Sequence, residues 1–271
     1  MPKEKKDNCK FIIIGGAEDK KGQKKILNYV SNQIKPEDLL VIATVASECP
    51  DEVIKEYKTL FKNLGMKNLK ELYVNNRVEC SDKEKIDIVK SAKLIFFTGG
   101  DQLRITSILG GTPLYEALKN SFDNGCVYVG TSAGASVISE TMVVQGEDQK
   151  SPGKCYVNMC KGLGLVKDII VDQHFAQRGR IGRLLAMVAQ NPENIGIGID
   201  EDTAMVINDR HELKVIGSGA IYIIDGRDIT YSNVSEQEYD ELLSMYNVKL
   251  HVLTPGKKYD LVKKVPFEEE V

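Results

Sequence analysis

The feature that most constrains this chain is the alternation, through its first half, of short β-rich apolar runs with amphipathic stretches. The runs fall at 11–14, 39–45, 69–74, 94–98 and 126–130, and the amphipathic stretches at 24–34, 50–64, 82–90 and 113–123. A strand that is apolar throughout has no solvent face, so it belongs in a parallel sheet covered by helices on both sides. Pro50-Asp51-Glu52 and Gly65 mark the start and stop of the second helix. The expectation is an α/β fold built on one mostly parallel sheet sandwiched by helices.

The second half changes character. Residues 143–165 are rich in glycine, lysine and polar side chains and read as a long excursion, the kind of segment that often carries function. A strand at 169–172 and a helix at 181–190 follow. Closely spaced strands near 195–199, 204–207, 213–217 and 220–225 then read as antiparallel additions at a sheet edge. A chain of 271 residues without repeat, linker or compositional break reads as one unit. The domain is placed at 8–258, with 1–7 and 259–271 as charged terminal segments.

Composition excludes several classes of function. A net charge of -3 provides no general attraction for nucleic acid or an anionic membrane. The charged start lacks the apolar region of a secretory signal, and no apolar stretch reaches membrane-spanning length, so cytoplasmic residence is the default. Six cysteines without a CxxC pair and three dispersed histidines indicate no metal, cofactor or disulfide framework.

Chemistry enters at Gly130-Thr131-Ser132-Ala133-Gly134, a GxSxG motif between a β run and a small-residue helix start. A sharp turn there forces the serine outward at the carboxyl end of the sheet and frees the N–H of Ala133 for an oxyanion. The plainer reading is an ordinary glycine turn. A second glycine turn, Thr98-Gly99-Gly100-Asp101-Gln102, should emerge at the same edge, where Gly100 is the candidate for the second oxyanion donor and Asp101 for a helix cap.

A serine nucleophile needs a base. His211 lies in a polar turn and His251 in an alternating strand-like segment, whereas His174 ends the run 169–173 and so stands at a strand end. His174 is the preferred base, with His251 the alternative. Asp200, Glu201 and Asp202 all follow a strand run, and position alone does not separate them as the acid that orients the imidazole.

Together these segments resemble the cyanophycinase family, serine peptidases related to dipeptidase E. The matching stretches are Gly15-Gly16-Ala17-Glu18-Asp19, Phe97 to Gln102, Gly130 to Ala135, Asp172-Gln173-His174-Phe175 with Arg178-Gly179-Arg180 and Arg183, and Gly198-Ile199-Asp200-Glu201. The resemblance implies a glutamine-amidotransferase or flavodoxin-like scaffold, a triad of Ser132, His174 and Glu201, and a homodimer. It also implies a substrate, cyanophycin, which is polyaspartate carrying arginine on each β-carboxylate, cut to β-aspartyl-arginine dipeptides.

The residues near His174 suit that substrate. Arg178, Arg180 and Arg183 concentrate guanidinium groups able to hold carboxylates through paired hydrogen bonds. Gln102 and Gln173 are candidates for binding backbone amides, and Glu147 and Asp148 for receiving the substrate's own guanidiniums. Two rivals remain: a dipeptidase E-like enzyme acting on free aspartyl peptides, and a non-catalytic binding protein on the same scaffold. A nucleotide site at 12–16 is disfavoured, because the third glycine of GxGxxG is missing and Glu18-Asp19 would oppose phosphate.

Overall fold

A computed structural model describes residues 9–146, 148, 151–153, 157–236 and 241–268. The first half alternates as its pattern requires, through β1 (Cys9–Ile14), α1 (Lys25–Ser31), β2 (Leu39–Ala43), α2 (Pro50–Asn63), β3 (Asn68–Leu72), α3 (Lys83–Ser91), β4 (Leu94–Phe97), α4 (Gln102–Leu109), α5 (Pro113–Asp123) and β5 (Val127–Thr131). β1, β5, β4, β2 and β3 pair in that order, all parallel. Alternate side chains of one strand separate onto the two faces: Ile12 and Ile14 pack with α1 and α2, while Phe11 and Ile13 face the opposite layer.

A four-residue helix α6 (Ala133–Ser136) follows β5. The excursion expected at 143–165 contains a hairpin, β6 (Thr141–Gly146) with β7 (Val157–Lys161). Next come β8 (Ile169–Gln173), α7 (Ile181–Gln190) and β9 (Ile195–Ile199), then β10 (Thr203–Asn208), β11 (Glu212–Gly217) and β12 (Ile221–Asp225). β10 and β11 extend the large sheet antiparallel from β1. A short pair, β13 (Tyr231–Ser232) with β14 (Met245–Tyr246), precedes β15 (Lys249–Leu253).

The segment after residue 258, read from sequence as a charged tail, contributes β16 (Lys258–Asp260) and β17 (Val265–Phe267) to the edge of a nine-stranded sheet.

β8 and β9 do not join that sheet. They pair parallel with each other and form a separate four-stranded sheet with β12 and β15. Val171, Ile197 and Ile223 of this sheet share a core with Ile13, Ile95 and Phe97 of the large one. Its other face receives α7, where Leu184 and Val188 lie against Gly196 and the Phe175 ring covers Gly198. The large sheet is therefore covered by α1 and α2 on one face and by α3, α4, α5 and the small sheet on the other, with α7 outside the small sheet, and the ends of β5, β8 and β9 converge from two sheets.

Candidate active site

Ser132 leaves β5 at φ 53° and ψ −109°, a conformation that costs an L-residue about 1–3 kcal/mol and persists only where neighbours impose it. A β-carbon on Gly130 would stand 2.2 Å from the Gly134 carbonyl oxygen, and one on Gly134 2.6 Å from that of Phe97, so the turn closes only with glycine at both places. The Ser132 N–H donates to the Ile14 carbonyl at 3.1 Å, and the Ser132 carbonyl accepts the N–H groups of Ala135 and Ser136 as α6 begins. The Tyr128 hydroxyl donates to the Gly134 carbonyl at 2.5 Å. The glycine motif is thus a strained strand-to-helix turn that points its serine outward.

His174 follows β8, also at positive φ (50°), and its N–H donates to the Gly15 carbonyl at 2.8 Å. Its Nε2 lies 2.9 Å from Ser132 Oγ and its Nδ1 2.7 Å from Glu201 Oε1. Glu201 follows β9, the parallel neighbour of β8, which is why residues 27 apart in sequence meet. An ionised carboxylate only accepts, so Nδ1–H donates to Glu201, which fixes the proton on Nδ1 and leaves the Nε2 lone pair facing the hydroxyl. Burial disfavours the imidazolium and holds the His174 pKa below the usual 6.5, against the hydrogen bond and charge of Glu201; the cations Arg178 and Arg180 push in the same direction as burial.

The three acids that position could not separate have distinct surroundings. Asp200 is buried and accepts the N–H groups of Ala176 and Ala220. Asp202 accepts the N–H of Asp19 and the hydroxyl of Ser218. Only Glu201 of the three hydrogen-bonds the imidazole. Of the other histidines, His211 sits exposed in the turn between β10 and β11, and His251 lies on β15 with its ring 5.9 Å from that of Tyr259.

Gly99 passes beside Ser132, where a β-carbon would stand 3.4 Å from Ser132 Cβ. Gly100 adopts φ +139° and crosses within 2.1 Å, measured from its ideal β-carbon, of the Ala46 carbonyl oxygen. Among the described residues, neither the Gly100 nor the Ala133 N–H is taken by a backbone carbonyl. Asp101 meanwhile caps α4 by accepting the Leu103 N–H, so the cap and the glycine turn coexist.

Residues 11–215 match the profile of peptidase family S51. The chain belongs to this family. Within it, the cyanophycinase of Geminocystis herdmanii is 39% identical over 251 residues, spanning 92% of each chain. That of Synechococcus elongatus is 36% identical over 252 residues, spanning 92% of this chain and 78% of its own. A peptidase E from Nostoc sp. is more distant, at 23% over 209 residues, 74% of this chain and 80% of its own. The solved structure of a peptidase from an acI-B1 Actinobacterium superposes with a TM-score of 0.64 at 22% identity, spanning 93% of this chain and 96% of its own, a likeness of fold. S51 membership makes the chain a serine peptidase.

Near His174, the three arginines divide. Arg178 is exposed and makes no ion pair with a described residue. Arg183 is buried and grips both oxygens of the fully buried Asp172, through Nε at 2.6 Å and through Nη2. Arg180 donates to Asp148 at 2.8 Å, to the Gln173 side chain at 2.7 Å and to the Gln173 carbonyl at 2.6 Å. Asp148, expected to meet a substrate guanidinium, instead meets the protein's own; Glu147 and Cys155 lie outside the described residues. Gln102 Nε2 donates to the Val143 and Val144 carbonyls, tying α4 to β6.

Among the described residues, no three His, Cys, Asp or Glu side chains gather as a metal site, and no helix is long and apolar enough to cross a membrane.

Two contributors quoted from the sequence were given no role there. Gly16 packs against the His174 ring, and Asp172 anchors the arginines behind it. The available signals were the glycine pair Gly15-Gly16 and an acid, Asp172, inside an otherwise apolar strand run.

Proposed function

We propose that this S51 peptidase hydrolyses the backbone of cyanophycin to β-aspartyl-arginine dipeptides through an acyl-enzyme on Ser132. The observation that carries the reading is the continuous hydrogen-bonded series Ser132, His174, Glu201 beside a cluster of guanidiniums. Its setting is a chain 39% identical to a cyanophycinase over 92% of both lengths.

Neutral His174 removes the Ser132 proton as Oγ attacks the backbone carbonyl, and Glu201 stabilises the imidazolium so formed. The N–H groups of Gly100 and Ala133 receive the developing oxyanion. His174 then returns the proton to the leaving amine, and water, activated by the same imidazole, releases the acyl group.

Arg178, exposed beside the base, is the first guanidinium that a substrate carboxylate meets. Arg180 and Arg183 hold Asp172, Gln173 and Asp148, so a substrate carboxylate reaches Arg180 by displacing Asp148. Gln102 and Gln173 reach backbone amides of the substrate only by giving up their bonds to the Val143 and Val144 carbonyls and to Arg180. A homodimer is part of the same proposal and rests on the family resemblance.

Purified protein given cyanophycin and Asp-X dipeptides in parallel tests the substrate class. Soluble β-aspartyl-arginine from the polymer is expected. Turnover of the dipeptides with the polymer left intact would mean a peptidase E-like activity, and turnover of neither a binding role.

A further inference from the structure

Glu18 belongs to the segment Gly15 to Asp19, which the mechanism above leaves without a role. It is 4% exposed, and its carboxylate accepts two hydroxyl hydrogen bonds, one from Tyr57 on α2 and one, at 2.6 Å, from Thr131. Thr131 immediately precedes the nucleophile and is itself buried. The same short segment touches the other two members of the series. The Gly15 carbonyl accepts the His174 N–H, Gly16 packs against the imidazole, and the Gly16 carbonyl accepts the N–H of Asp202, next to Glu201.

A buried carboxylate is costly, and an apolar pair of similar volume would fill the space between α2 and β5 at least as favourably. What the carboxylate adds is direction, since an O–H···O⁻ bond fixes distance and angle where apolar packing does not. Resting on the assignment of Ser132 and His174 proposed above, we infer that Glu18 is a positioning residue. Through Thr131 it locks the strained nucleophile turn in register with the loop that carries the back wall of the base. The bond leaves the reacting atoms untouched and sets the separation of Oγ from Nε2.

The test compares Thr131→Val, Thr131→Ser, Glu18→Gln and the Thr131→Val/Glu18→Gln pair. Readouts are kcat and KM on cyanophycin, the rate of labelling by a serine-directed acylating reagent, and Tm. Displacement of reacting groups by about 1 Å costs up to ~100-fold, so Thr131→Val is expected to lower kcat and the labelling rate together by about 10- to 100-fold with KM nearly unchanged. Thr131→Ser, which keeps the hydroxyl, restores both. The double variant loses no more than Thr131→Val alone, because once valine has removed the donor, exchanging the carboxylate acceptor for the neutral amide has no bond left to weaken at residue 131.

Labelling at the wild-type rate in folded Thr131→Val, no rescue by serine, or losses that multiply in the double variant overturns the inference. If Glu18→Gln does not fold, the valine and serine variants at 131 decide. Ser132→Ala separates the two levels: retained hydrolysis there sinks the nucleophile assignment, whereas an inactive Ser132→Ala beside an unaffected Thr131→Val sinks only the role of Glu18.

Discussion

The His174 imidazole rests on the backbone of Gly16 so closely that a β-carbon at residue 16 would stand 2.3 Å from Cε1 and 2.5 Å from Nε2. The ring is held between that backbone, Ser132 and Glu201, and has little room to retreat without breaking one of its two hydrogen bonds. Gly16 also has φ +96°, which adds backbone strain for any other residue. Gly16→Ala is therefore expected to lower kcat/KM by about 100-fold, with a stability loss of about 1–3 kcal/mol, read by cyanophycin turnover and urea denaturation. Near-normal turnover would show that the ring tolerates displacement.

Removing the base separates the histidines. His174→Ala is expected to lower kcat by at least about 10³-fold, while His251→Ala and His211→Ala stay within a few-fold of wild type. The imidazole that hydrogen-bonds Ser132 is that of His174, whereas His251 lies on β15 by Tyr259 and His211 in the β10–β11 turn. Steady-state kinetics on the three variants checks this, and loss of activity in His251→Ala alone would reassign the base.

The acid side of the pH profile follows from the surroundings of His174. Only the neutral imidazole accepts the serine proton, so kcat/KM is full above its pKa and falls as pH drops through it. Burial, aided by Arg178 and Arg180 and opposed by Glu201, holds that pKa below 6.5, which places the midpoint of the acid limb below 6.5. Arg178→Ala removes a cation that disfavours the imidazolium, so its midpoint moves to higher pH. A wild-type midpoint above 6.5, or a downward move in the variant, contradicts the electrostatic reading.

The divided roles of the arginines predict divided phenotypes. Asp172→Asn leaves two buried guanidiniums short of a counter-charge and is expected to destabilise the fold by about 3–5 kcal/mol in urea denaturation. Arg178→Ala, at an exposed position, is expected to change stability by no more than about 0.5 kcal/mol and to raise KM for cyanophycin. Equal stability losses in both variants would place Arg178 in the structural network as well.

How much could be read beforehand depended on whether the deciding physics was local. Helices 50–64 and 113–123 were legible within a residue at each end, because proline at the first turn and a following glycine or polar cap act within a few residues. The Ser132 turn was legible for the same reason, since crowding by Gly130 and Gly134 is written in five consecutive residues.

The assignment of β8 and β9 to a sheet of their own was not legible. Their Ile-rich runs suit any doubly covered parallel strand, and only the pairing with β12 and β15 tells which sheet they enter. Nor was the engagement of Arg180 and Arg183 with Asp172 and Asp148, which joins the start of α7 to β8 and to residue 148. The roles of Asp200, Glu201 and Asp202 differ only through partners at least 16 residues away in sequence, beyond the reach of spacing.

The central claim is that the Ser132 hydroxyl opens the polymer. Mass spectrometry of the soluble products, after cyanophycin is incubated with wild-type protein and with Ser132→Ala, tests it most directly. β-Aspartyl-arginine released by the first and absent from the second is the predicted result. Dipeptide accumulating at comparable rates with both proteins would contradict it.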